Sequence, residues 1–103
     1  MALSVASTLT LPPSVTLDSL RKLSADLASR AEFLRRLSEG FERKYACSLA
    51  ELNRRLAARQ IAEHPAWEDS IEWGNAADQL AQVELLQSIV SWLISSLKPS
   101  SSS

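Results

Sequence analysis

The chain has 103 residues, 46% of them hydrophobic and 22% charged, with 11 basic against 12 acidic side chains and a net charge of -1. A length of this order holds one domain, the apolar fraction is enough for a core and excludes disorder over most of the chain, and near-neutrality gives no global pull toward nucleic acid or acidic membranes. One cysteine, Cys47, excludes an intramolecular disulfide and a cysteine-rich zinc site, and a single histidine argues against a metal centre. Two glycines, Gly40 and Gly74, are too few for a phosphate-cradling loop. The composition therefore announces no catalytic residue, no metal and no cofactor.

Residues 1–14 read as an extended arm. Leu3, Val5, Leu9 and Leu11 fall on one side of an extended chain and Ser4, Ala6, Thr8 and Thr10 on the other, a strand period that Pro12 and Pro13 terminate. A lone strand must pair with a second copy of itself or with a partner's sheet edge. The remainder is one helical domain over 15–98, closed by a serine tail over 99–103 that is expected to be disordered.

Within that domain Thr16 or Asp18 caps a helix predicted over 18–45. Its apolar positions, Leu20, Leu23, Leu27, Ala31, Leu34, Leu37, Phe41 and Tyr45, recur at spacings of three and four. Gly40 inside it invites a bend. The spacing of Ser48 and Glu51 is that of a capping box and opens a short helix predicted over 49–61, with Leu49, Leu52 and Leu56 as its stripe. Pro65 suits the first turn of a third helix predicted over 66–97, whose acidic start, Glu68, Asp69 and Glu72, matches the positive end of the helix dipole. Its stripe runs from Trp73 through Leu80, Val83, Val90 and Leu93. Trp67 and Trp73, six residues apart, cannot share one narrow face.

These elements specify an all-α architecture, a hairpin of two long helices joined by a short one. The short helix cannot cover the whole hairpin, so a twofold homodimer is expected, with Leu34, Leu37, Leu80, Val83, Leu86, Val90 and Leu93 at its interface. A charge placed there, as in Val90→Asp, should dissociate or unfold the protein. Residues 1–59 hold ten basic and six acidic side chains and residues 60–103 one and six, so antiparallel helices can neutralise one another. No segment offers the run of about 20 apolar residues that a membrane span needs, and the lone thiol suits a reducing compartment; a soluble cytoplasmic protein is the expectation.

Two degenerate motifs are enzymatic alternatives. Arg59 and His64 have a spacing similar to that of the HEPN ribonucleases, in which arginine and histidine cooperate on a phosphodiester. Glu39, Glu42, Asp69 and Glu72 form an E-x-x-E and a D-x-x-E, similar to the magnesium-binding helices of MazG-type nucleotide pyrophosphohydrolases.

A third resemblance covers about half the chain. The run Phe41-Glu42-Arg43-Lys44-Tyr45, the cap Ser48-Leu49-Ala50-Glu51-Leu52 and the segment Asp69-Ser70-Ile71-Glu72-Trp73 resemble small helical antitoxins of prokaryotic toxin-antitoxin operons, the partners of TumE-type toxins. The resemblance implies a non-enzymatic protein-protein interaction module that sequesters a small basic toxin. Trp67, Glu68, Asp69, Glu72 and Trp73 would then form the contact surface. The arginines alternate with Glu32, Glu39, Glu42 and Glu51, so nucleic acid is not an expected partner, and neither is a membrane.

Overall fold

A computed structural model describes residues 15–97. The predicted strand-like arm and the serine tail lie outside those residues. Helix α1 spans Leu17–Tyr45, α2 spans Leu49–Ala57 and α3 spans Glu63–Leu97. α1 and α3 pack antiparallel along their length, and α2 lies against α3. The all-α hairpin expected from the 3–4 spacing is the architecture observed.

The start of α1 is fixed by a reciprocal cap: the Ser19 amide donates to Thr16 Oγ1 at 3.1 Å while the Thr16 amide donates to Ser19 Oγ at 2.8 Å. The helix continues through Gly40, whose added Cβ would meet nothing within 4 Å, and ends where Ala46 turns left-handed at φ 54°.

Only half of the second predicted capping box forms. Ser48 Oγ accepts from the Glu51 amide at 3.1 Å, but the Glu51 carboxylate, rather than returning to the cap, takes Arg54 and Arg55. Two guanidinium groups one turn ahead outbid a single backbone amide. They hold the Glu51 carboxyl at about 2, well below the usual range.

The second helix also stops earlier than predicted, at Ala57 and not near Ile61. The Gln60 amide bonds the Arg55 carbonyl at 2.9 Å and the Arg59 amide bonds the Leu56 carbonyl at 3.1 Å, with Arg59 at φ 58°. This is a Schellman closure, in which Arg59 occupies the left-handed position that glycine usually fills. In α3 the segment Glu63–His64 is a distinct turn, because His64 is extended at φ -106°, ψ 132° before Pro65. Continuous helix runs from Pro65.

Two buried clusters divide the molecule. One lies at the end where α2 packs: Phe41, Leu52, Ala66 and Trp73, with the Phe41 and Trp73 rings stacked 5.8 Å apart. The other, among the described residues, joins α1 and α3 through Leu20, Leu27, Ala31, Leu34, Ala76, Val83 and Val90. Most of the residues expected at a dimer interface lie in or against these clusters. Leu34 is 1% exposed within a single chain, and Val83 and Val90 are also buried, so these residues have no surface left for a second copy. Leu37, Leu80 and Leu93 are half-buried against the same clusters, and of the predicted set only Leu86 stands exposed. A hairpin and a dimer call for the same stripe, and the nearer helix takes it.

Candidate interaction surfaces

The predicted partner surface at the start of α3 divides into an inner and an outer part. Trp73 is 4% exposed and stacks on Phe41; Trp67 is 53% exposed. The two tryptophans thus face different ways, as their six-residue separation requires. Asp69 also turns inward. Its carboxylate accepts from Lys44 Nζ at 2.6 Å and from Tyr45 Oη at 2.5 Å, tying the end of α1 to the start of α3. The hydrogen bond from Lys44, followed by that from Tyr45, holds the Asp69 carboxyl below the ordinary aspartate value. Lys44 is raised in turn, first by its bond to Asp69, and Tyr45 is raised by burial and then by the same carboxylate.

What remains outward is Trp67, Glu68, Ile71 and Glu72. Trp67 and Ile71 stand at i and i+4, and so do Glu68 and Glu72, giving an apolar strip beside an acidic one. Glu68 Oε2 lies 2.7 Å from His64 Nδ1. The bond to its own backbone amide and then that to His64 lower the Glu68 carboxyl. Ile71, which sequence reasoning passed over, is exposed; its i+4 relation to Trp67 was the available signal.

The charge asymmetry along the chain is used across the hairpin, where Arg35 meets Glu84 at 3.2 Å and Lys44 meets Asp69. Arg30 adds a hydrogen bond to Gln79 at 2.7 Å.

The enzymatic motifs fare differently. Arg59 is the exposed C-terminal closure residue of α2, and His64 is engaged with Glu68, in place of the backbone carbonyl common for a residue before proline. Among the described residues no group of three or more His, Cys, Asp or Glu side chains is arranged to hold a metal ion, so Glu39, Glu42, Asp69 and Glu72 do not converge. The extra element α2 between the two acidic pairs, and the Lys44–Asp69 bond, account for that.

The other outward surface is the C-terminal half of α3. Leu85 is 62% and Trp92 65% exposed, and Leu86, Ile89 and Leu97 are also exposed. This corrects one expectation. By length and composition α3 is long and apolar enough to cross a membrane, with an 18-residue window of mean hydropathy 1.3, of which 11% is buried. Single serines break each apolar run in the sequence, yet leave the average hydropathy of the window high.

No protein-family model, no curated protein and no solved structure matches this chain.

Proposed function

We propose that the chain is a non-enzymatic protein-protein interaction module of the antitoxin kind, which sequesters a small basic toxin through the outer surface at the start of α3. The observation that carries this reading is the juxtaposition of exposed Trp67 and Ile71 with the exposed carboxylates of Glu68 and Glu72 on a helix otherwise anchored from within by Trp73 and Asp69. An aromatic anchor in a carboxylate frame is the chemistry that captures a basic protein: the acids steer its approach, and the indole supplies buried area. The anchoring matters as much, because a surface held on a rigid helix loses little entropy on binding.

The test takes as candidate toxin a small basic protein encoded beside this chain or captured with it by pull-down. Parent protein should bind and neutralise it, Trp67→Ala should raise the dissociation constant about thirtyfold or more, and the pair Glu68→Gln with Glu72→Gln should slow association and flatten its salt dependence. Asp69 is left intact, since its loss disturbs the fold. Binding unaffected by all three substitutions would overturn the assignment.

A further inference from the structure

The outer face of α3 carries a second pattern, separate from the acidic start. Ile71, Asp78, Leu85 and Trp92 recur every seven residues, and so do Gly74, Ala81, Ser88 and Ser95; together they alternate at spacings of three and four, the seam of a helix pair. α2 covers the early part of this seam: a Cβ on Gly74 would lie 4.0 Å from Leu49 Cδ2. α2 ends at Ala57, and beyond Gly74 none of the described residues covers the same seam, with Ala81, Leu85, Ser88, Trp92 and Ser95 all exposed.

We infer that a second copy of this chain covers that bare seam, its α3 lying antiparallel to the first and taking the place that α2 takes at the other end. Three observations select this occupant. The sequence has no charged residue between Glu84 and Lys98. That stretch gives a basic or acidic partner little electrostatic purchase, and Arg35 and Glu84 at its edge neutralise each other at 3.2 Å, so the face meets its own twofold mate without like-charge repulsion. The exposed portions of Leu85, Ile89 and Trp92, with the exposed small residues Ala81, Ser88 and Ser95 beside them, amount to about 500 Å² per chain, so a pair would bury about 1,000 Å², the size at which a specific interface begins. The surface is also self-complementary. Trp92 borders an open groove of about 620 Å³ lined also by Arg35, Glu84, Gln87, Ser88, Ser91 and Ser95, so projecting and recessed parts belong to one patch, as an isologous interface requires.

Antiparallel pairing places large against small in successive layers, with Leu85 opposite the second copy's Ser88 and Trp92 opposite its Ala81. Asp78 then meets the hydroxyl of Ser95. In that register the helices overlap from Ala76 to Leu97, about 33 Å. Trp67, Glu68, Ile71 and Glu72 lie beyond the overlap, so the surface proposed for a toxin stays free, and the two surfaces can be broken independently.

Light scattering on the full chain tests the inference. At about 50 µM the parent should have twice the 11.3 kDa chain mass. Trp92→Glu, which removes the knob, and Ser88→Trp, which fills the hole, should each raise the dimer dissociation constant about thirtyfold or more while leaving the helical circular dichroism unchanged, since both positions are exposed. Trp67→Ala should leave the mass unchanged. A parent that is monomeric at that concentration overturns the proposal, and so does a monomer that partitions onto phosphatidylcholine and phosphatidylglycerol vesicles, which would make the face a lipid contact. A dimer that survives both Trp92→Glu and Ser88→Trp overturns it as well.

Discussion

The two ends of the hairpin are built from the same two helices but are closed differently. Where α2 packs, α3 is covered on two sides: Trp73 stacks on Phe41, Leu52 is fully buried, and Asp69 bonds both Lys44 and Tyr45. At the other end, among the described residues, α1 alone covers α3, through Leu20, Leu27, Val83 and Val90, and Leu85, Ile89 and Trp92 stand outside. A nine-residue helix reaches along only part of a thirty-five-residue one. The consequence is a division of roles along α3: its start is internally satisfied and presents a shaped polar surface, while its end still has apolar area to bury.

The sharpest way to break this contrast is to compare two tryptophans on the same helix. Trp73→Ala should cost about 3–5 kcal/mol, the usual range for removing a buried aromatic ring, whereas Trp92→Ala should change the stability of dilute protein by less than about 0.5 kcal/mol. Urea unfolding of both variants, followed by circular dichroism, reads the difference. Equal losses would mean that the two ends are covered alike.

A smaller effect sharpens the closure of α2. Arg59 holds a left-handed backbone that costs a side-chain-bearing residue roughly 1–2 kcal/mol, so Arg59→Gly should stabilise the protein by about 1 kcal/mol. The same substitution probes the ribonuclease alternative, in which this arginine acts on phosphate. Thermal unfolding gives the sign directly, and destabilisation would show that the Arg59 side chain has a role that its exposed position does not reveal.

The smallest effect is a pH dependence confined to the closed end. The Asp69 carboxyl lies below its ordinary value of 3.8, so the folded protein binds this proton less readily than the unfolded chain. The stability it contributes is present above that value and is lost as the pH falls below it. Lys44 and Tyr45 lie above their ordinary values of 10.5 and 10.0; their contribution is present below those values and is lost as the pH rises through and beyond them. Asp69→Asn should therefore flatten the stability curve below about pH 4 and above about pH 10. Unfolding midpoints across pH, parent against variant, would show no such flattening if the triad were only a surface contact.

Much of this architecture could be read in the sequence, for reasons that vary along the chain. Helices α1 and α3 announce themselves because their apolar residues recur at three and four over many turns, and the caps at Thr16 and Ser48 follow from local spacing. The end of α2 was hidden because its Schellman closure uses Arg59 where glycine would have signalled it. The inward turn of Asp69 was hidden for a different reason: its partners lie 24 and 25 residues away, and an acid near a helix start looks the same whether it serves the dipole, a partner or a distant lysine. The apolar stripe of α3 shows which residues need cover without showing who supplies it. Leu34, Val83 and Val90 are covered by the antiparallel packing of α1 and α3 within one chain, a cover that the stripe by itself does not name.

The central claim, that α3 is closed at one end and open at the other to a second copy of itself, is tested most directly by collisional quenching of single-tryptophan variants across a range of protein concentration. With only Trp73 retained, acrylamide quenching should be weak at every concentration; with only Trp67 retained, strong at every concentration. With only Trp92 retained, quenching should be strong in dilute protein and should fall as concentration rises and the seam is covered. If Trp92 stays as open to acrylamide in concentrated protein as in dilute, no second copy covers it and the account of the open end is wrong.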